Sequence, residues 1–339
     1  HQPIGVIFGI QPWNFPFYQV IRYTIANLMA GNTVLLKHAP NVWGCAEALE
    51  DIFREAGMPE NVFNVLYIQE DQASQVTEHK LVRGVTFTGS AATGRKIAAA
   101  AGEHLKKTVL ELGSNDAFLV LEDADIDKAV DACVTGRINN NGQTCVAAKR
   151  FVVVDAVYEQ FRDAYLAKMK QIEFGDPSDK NTQLGPIARE DLRDNLHAQV
   201  KESIEKGATC LTGGEVPDRE GYFYPVTVLE NVTPGMPAYD GELFGPVASL
   251  IRAKDEADAI RIANNSIYGL SGAVWSGDTD RALSVARQIR TGTLSVNGAQ
   301  WFHIDTPFGG YRQSGVGREN GVAGFEEYLE TKVIAVPSS

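Results

Sequence analysis

Three side chains in this sequence are of the types that together could process a carbonyl compound: the amide of Asn14, the carboxyl of Glu111 and the thiol of Cys145. A thiolate adds to a carbonyl carbon, an amide N–H steadies the resulting oxyanion, and a carboxylate activates water for a later hydrolysis. Cys145 ends the run Asn139-Asn140-Asn141-Gly142-Gln143-Thr144-Cys145, a polar turn and not an apolar core segment. Glu111 lies in Val109-Leu110-Glu111-Leu112-Gly113, where an uncompensated charge is costly. Asn14 stands between Trp13 and Phe15 in a turn bracketed by Pro12 and Pro16. Each residue also has a plainer reading. A lone cysteine is often a small buried hydrophobe, a buried carboxyl is often half of an ion pair, and Asn is common in turns. A cysteine hydrolase usually employs His as its base, and the six His here lie in no motif that suggests such a pairing.

A fourth candidate is the loop Gly89-Ser90-Ala91-Ala92-Thr93-Gly94-Arg95-Lys96. Strand, glycine and then helix is how a chain points backbone N–H groups at a phosphate. Arg95 stands where a P-loop requires Lys, no Ser or Thr follows it, and no GxGxxG occurs, so ATP is disfavoured. A dinucleotide pyrophosphate and a helix simply capped by Ser90 both fit the loop.

These groups need elements to hold them. Apolar runs at residues 4–10, 33–37, 62–67, 85–88 and 108–111 read as strands. Helices over 17–30, 71–78 and 89–101 alternate with them, as does one opened by Asn41, carrying Ala46, Leu49, Ile52, Phe53 and Ala56, and closing at Gly57. That alternation predicts an α/β fold with a doubly wound parallel sheet. Beyond a break near Gly113, strands are expected at 118–121, 151–154, 226–229, 248–252, 272–275 and 292–296. Helices are expected at 156–172, 255–265 and 278–290, with a further apolar stripe at Leu192, Leu196, Val200 and Ile204. Residues 172–187 and 212–225 read as loops.

The 339 residues are 44% hydrophobic, enough for a sizeable core and more than one domain. With 43 acidic against 31 basic residues and no long basic run, nucleic acid is not an expected partner. No apolar run is long enough to span a membrane. Cys45, Cys133, Cys145 and Cys210 have no CxxC spacing and fit a reducing cytoplasm. The chain opens on His1-Gln2-Pro3 directly before a core strand, which predicts that an upstream segment of the fold is missing.

Taken together, the motifs resemble those of the aldehyde dehydrogenase superfamily, and the likeness runs the whole chain. Pro12-Trp13-Asn14-Phe15-Pro16 is similar to the family's oxyanion motif, with Lys37 spaced as its ribose-binding Lys. Phe87-Thr88-Gly89-Ser90 resembles its nucleotide turn and Glu111-Leu112-Gly113 its general-base motif. Gly142-Gln143-Thr144-Cys145 resembles the nucleophile motif, and Glu242-Leu243-Phe244-Gly245-Pro246 the pair holding the nicotinamide ribose and ring. Pro307-Phe308-Gly309-Gly310-Tyr311 and Ser314-Gly315-Val316-Gly317-Arg318-Glu319 are similar to the C-terminal signature.

The resemblance implies an NAD(P)-binding domain over 1–113, a catalytic domain over 114–313, and a return segment with an oligomerisation strand over 314–339. It implies oxidation of an aldehyde to its acid, with Cys145 as nucleophile, Asn14 as oxyanion donor and Glu111 as base. NAD or NADP would be held by Trp13, Lys37, Pro40, Gly89, Ser90, Leu112, Glu242 and Phe244. Many members carry Glu three residues after the ribose Lys; Pro40 stands there, which removes a repeller of a 2′-phosphate and predicts that NADP is tolerated. Lys37-His38-Ala39-Pro40-Asn41-Val42, with Arg22 placed like a carboxylate-binding Arg, resembles a bacterial succinate-semialdehyde dehydrogenase branch. Arg22, Asn139, Trp301, His303 and Phe308 are the expected substrate residues, although Asn139 and His303 replace the Arg and Ser of that branch. A medium-chain or aromatic aldehyde, a coenzyme-A-acylating relative and a catalytically silent relative are the alternatives. The expected assembly is a homodimer or homotetramer that pairs near 328–336.

Overall fold

The computed structural model describes residues 1–299 and 303–337. It divides into two compact units, one of His1–Leu112 with Phe302–Gly310 and Ser314–Ser339, the other of Gly113–Trp301 with Tyr311–Gln313.

In the first unit, strands β1 (Val6–Gln11), β2 (Thr33–His38), β3 (Phe63–Val65), β4 (Val82–Thr88) and β5 (Lys107–Glu111) form a parallel sheet in the order β5-β4-β1-β2-β3. Ile7, Phe8, Val34, Leu36, Val85, Phe87, Val109 and Leu110 are all buried, as expected where helices cover both faces of a sheet. The crossovers carry α1 (Tyr18–Met29), α2 (Trp43–Glu55), α3 (Glu70–Glu78) and α4 (Ala91–Glu103). Gly315–Val316 adds an antiparallel edge to β5, placing Gly315 opposite Glu111. The chain winds outward through β2 and β3 and then returns to the far side of β1. The winding therefore reverses between β1 and β4, the place where doubly wound sheets open a crevice at their carboxyl ends.

The second unit holds β6 (Ala117–Val120), β7 (Arg150–Val154), β8 (Thr209–Thr212), β9 (Thr227–Glu230), β10 (Val247–Ala253), β11 (Gly272–Trp275) and β12 (Ser295–Val296). Their order is β12-β11-β6-β7-β10-β9-β8, parallel except for the antiparallel edge strand β8. Alternate residues serve opposite faces. Phe118, Val120, Phe151 and Val153 pack with α5 (Ile126–Ile138) and α6 (Asp155–Met169), through Val130, Cys133, Phe161 and Tyr165. Leu119, Val152, Leu229, Val247 and Val274 pack with α7 (Glu190–Glu205), α8 (Glu256–Asn264) and α9 (Thr279–Ala286).

Several sequence expectations are corrected. Asn41 does not cap α2; Pro40 starts a 3-10 turn, Pro40–Val42, and the helix begins at Trp43 with no side-chain cap. Proline pre-sets the backbone for a first helical turn, which displaces the start. Helix α5 was not foreseen; its buried face, Ile126, Ala129, Val130, Cys133, Val134 and Arg137, mixes small residues and a charged one with the large apolar side chains, which weakens the stripe. Strand β8 was also missed, being a short, partly exposed edge. Asp278 caps a helix that is shorter than expected, Thr279–Ala286, and only Ser295–Val296 of 292–296 is strand. At the C-terminus the strand is confined to Leu329–Glu330, antiparallel to Gln2–Pro3. The apolar Val333, Ile334 and Val336 beyond it are exposed and outside any strand. Among the described residues no helix is long and apolar enough to cross a membrane.

Asn32 ties the start of the first sheet to the C-terminal segment. Its Oδ1 accepts from Gly5 N–H at 2.9 Å, and its Nδ2 donates to Asn27 Oδ1 at 3.1 Å and to the Tyr328 carbonyl at 2.9 Å. Asn32→Ala should leave those buried groups unpaired and lower the unfolding free energy by about 2–3 kcal/mol. Urea titration of the two proteins measures it; a loss under about 0.5 kcal/mol would mean water replaces the amide.

Candidate active site

In the second unit, the chain leaves α5 through Asn139–Gly142, a turn that runs left-handed at Asn140 (φ 51°), Asn141 (φ 56°) and Gly142 (φ 73°). Asn tolerates this region better than most side chains, which accounts for the two asparagines. Gly142 has a steric reason as well: a Cβ there would lie 2.3 Å from the Gly245 carbonyl oxygen. The polar side chains hold the neighbouring loop. Asn141 accepts from Gly185 N–H at 2.9 Å and donates to the Pro186 carbonyl at 3.1 Å, and Gln143 accepts from Ala188 N–H at 2.9 Å. Cys145 emerges partly exposed from this frame, in no disulfide, while residues 146–150 are buried. Asn139 is exposed, and its carbonyl accepts from the Thr144 hydroxyl at 3.1 Å.

Two buried cations support the turn from behind. Arg137 donates to the Gly142 carbonyl at 2.8 Å and the Val247 carbonyl at 3.3 Å, and burial pushes its pKa down to about 10. Lys149 Nζ lies 2.5 Å from the Cys145 carbonyl oxygen and 3.4 Å from Glu242 Oε1. Glu242 also accepts from Ser114 N–H at 3.0 Å, and a Cβ on Gly113 would come within 2.6 Å of its other oxygen. Burial raises the Glu242 carboxyl above its ordinary value, with Lys149 opposing. Phe244 follows it, half-buried. The second unit thus joins Cys145 to Glu242 through one lysine that the sequence analysis gave no role.

In the first unit, Trp13 and Asn14 lie partly exposed in the turn after β1. His38, at the end of β2, braces that turn, with Nε2 2.9 Å from the Pro16 carbonyl and Nδ1 3.0 Å from Ala39 N–H. Burial holds its pKa below the ordinary value, so the neutral ring donates from Nε2 and accepts at Nδ1. Lys37 beside it is buried, and burial lowers its pKa against the pull of Glu70. Pro40 is exposed. Gly89 and Ser90 connect β4 to α4, where the Ser90 hydroxyl caps the helix by accepting from Thr93 N–H at 3.3 Å. Gly94 lets α4 settle on Leu112, since a Cβ there would meet Leu112 Cδ2 at 2.5 Å.

Glu111 is 3% exposed, and neither of its carboxyl oxygens has a hydrogen-bond partner among the described residues. Gly309, at φ 154°, approaches so closely that a Cβ would lie 2.8 Å from Glu111 Oε1. Burial raises the pKa of this carboxyl well above the ordinary value, Glu319 adds to the effect, and Arg22 and Arg318 oppose it. Arg22 is itself buried: its Nε donates to Glu319 Oε2, and its guanidinium lies 4.6 Å over the Phe308 ring. Glu319 also takes a bond from the Thr86 hydroxyl at 3.4 Å. The structure therefore brings Arg22, Phe308 and Glu111 together around Glu319, which the sequence analysis noted only as part of a motif. An Arg on a helix face shared with buried Gln19 and Tyr23 was the available signal that an acid must meet it. His303 is exposed, 3.3 Å from Asp305, and Trp301 lies outside the described residues.

The family model described as "Aldehyde dehydrogenase family" matches residues 1–334. The chain is 46% identical over 334 residues to the NADP(+) succinate-semialdehyde dehydrogenase of Deinococcus radiodurans, covering 98% of this chain and 70% of that protein. It is 43% identical to the NAD(P)+ succinate semialdehyde dehydrogenase of Escherichia coli, covering 98% and 72%. The crystal structure of succinic semialdehyde dehydrogenase from Streptococcus pyogenes in complex with NADP+ superposes with a TM-score of 0.97 at 38% identity, covering 99% of this chain and 74% of that one.

The Glu111 environment has a consequence for stability. A carboxyl whose folded pKa is raised contributes stability below its unfolded value, about pH 4.3, and that contribution is lost as pH rises through the folded value. Glu111→Gln should therefore melt above the wild type at about pH 8, with the gap closing toward about pH 4.3. Equal differences at both pH values would exclude the buried charge as the cause.

Proposed function

The chain belongs to the aldehyde dehydrogenase family, and from that premise we propose that it oxidises succinate semialdehyde to succinate with NAD(P). The observation that carries the hydrolytic reading is Glu111, a carboxyl kept in dry surroundings and shifted toward the range of a general base. A relative that hands its acyl group to coenzyme A has no use for such a base.

The first unit fits a dinucleotide. The winding reversal between β1 and β4 sets the turn of Trp13 and the turn of Gly89 and Ser90 at adjacent strand ends, with α4 presenting its N-terminus after Ser90. Lys37, beside them at the end of β2, and Glu242 would take the riboses, with Pro40, Leu112 and Phe244 completing the cofactor set. When bound, the nicotinamide accepts the hydride released from carbon. Cys145 adds as a thiolate to the aldehyde carbon, and the Asn14 amide and the Cys145 N–H donate to the oxyanion. Loss of hydride leaves a thioester on Cys145. Glu111 takes a proton from the water that attacks it, releasing the acid and restoring the thiol.

The substrate's distal carboxylate is assigned to Arg22, whose planar fork suits it. Phe308, Trp301, His303 and Asn139 complete the substrate set. Support comes from the names of the relatives and from the aromatic wall that Phe308 places against the guanidinium. An uncharged medium-chain or aromatic aldehyde is the second reading, favoured by the bond that already joins Arg22 to Glu319. The exposed Val333, Ile334 and Val336 support assembly as a homodimer or homotetramer, and four cysteines outside any disulfide support a cytoplasmic setting.

Cys145→Ala should abolish aldehyde oxidation while leaving NADP+ affinity within about threefold, since it deletes a bond-forming atom and not a ribose contact. Undiminished turnover would overturn the mechanism. Arg22→Ala should cost turnover of butyraldehyde through Glu319, and turnover of succinate semialdehyde by about a further one to two orders of magnitude, the worth of a charged hydrogen bond. Equal losses on both substrates would leave Arg22 as the partner of Glu319 alone.

A further inference from the structure

Lys149 takes no part in the chemistry above, yet its ammonium touches two groups that do. It is 2% exposed and lies just ahead of β7. Nζ is 2.5 Å from the Cys145 carbonyl oxygen, 3.3 Å from that of Thr144 and 3.4 Å from that of Ala147, and it is 3.4 Å from Glu242 Oε1. An ammonium has three N–H donors, so these four oxygens share them, and a weaker hold by one strengthens the others.

Three other charged groups lie around it. Asp116 accepts at Oδ1 from the Ser114 hydroxyl and from Ser271 N–H at 3.0 Å, while its Oδ2 takes no hydrogen bond among the described residues and its charge acts on Lys149 without bonding it. Arg150 donates to the carbonyls of Asn115, Ile262 and Ala263, and Arg137 to those of Gly142 and Val247. Among the described residues, Lys149 is the cation that bonds both the nucleophile's own carbonyl and Glu242.

We propose that Lys149 is a positioning residue that couples the cofactor ribose, through Glu242, to the nucleophile. Ribose hydroxyls donating to Glu242 loosen its hold on the ammonium, whose three N–H groups then serve the carbonyls of Thr144, Cys145 and Ala147, leaving its positive charge less compensated beside the nucleophile. This rests on the assignment of Cys145 and Glu242 made above.

The test is the rate of Cys145 alkylation by iodoacetamide, followed by peptide mass mapping, with and without saturating NADP+. Bound cofactor shields the thiol equally in wild type and in Lys149→Met, but only the wild type retains the charge. The ratio of rates with and without NADP+ should be about tenfold lower in Lys149→Met, the effect of losing one cationic neighbour on a thiolate. Lys149→Arg should recover part of the ratio. Glu242→Gln, with Lys149 in place, should lose it as Lys149→Met does, and it decides the matter if Lys149→Met does not fold. A wild-type ratio in a variant that binds NADP+ normally overturns the coupling and leaves the family mechanism standing. A wild type that binds no NADP+, or whose alkylated thiol is not Cys145, overturns both.

Discussion

A charge inside protein must be met by another charge or by oriented dipoles, or the group gives up its proton equilibrium instead. The first unit is arranged around one instance of that constraint. Glu111 and Glu319 are both buried, and two carboxylates with no cation between them would not both ionise. Arg22 bonds Glu319 and reduces the field at Glu111 without bonding it, and burial raises the Glu111 pKa. The backbone of Gly309 shuts water away from one side of that carboxyl, and a side chain there would not fit. A carboxyl with a raised pKa is the product of incomplete compensation, and each neighbour controls how incomplete it is.

The second unit solves the same problem with the signs reversed. Arg137, Lys149 and Arg150 are buried, and most of their donors go to backbone carbonyls. A turn with successive left-handed residues cannot satisfy its carbonyls by helix or strand bonding, and buried cations supply the missing donors. The backbone around Cys145 is therefore held from beneath by charge and from the side by Asn141 and Gln143. A thiol on a loop gains from such support the fixed geometry that strands give elsewhere.

Legibility in the sequence followed the range of the forces involved. The parallel strands were readable because burial on both faces demands continuous apolar runs such as residues 6–8 and 151–154. Ser90 was readable as a cap because its bond reaches only three residues ahead. Helix α5 was less so, since its buried face includes Arg137 and small residues such as Ala129 and Cys133, which blunt the apolar contrast that marks a helix. Asn41 was misread because Pro40 imposes its own turn one residue earlier.

By itself the sequence determined the sheet architecture, the family, and the identities of Asn14, Glu111 and Cys145 as the candidates for chemistry. Those depend on local pattern and on motif, which a linear reading carries. Only the tertiary structure decided that Arg22 bonds Glu319 across 297 positions of chain, and that Lys149 spans from Cys145 to Glu242. Electrostatic compensation acts through space, falls off with distance and not with sequence separation, and so leaves no mark on the chain until folding brings the partners together.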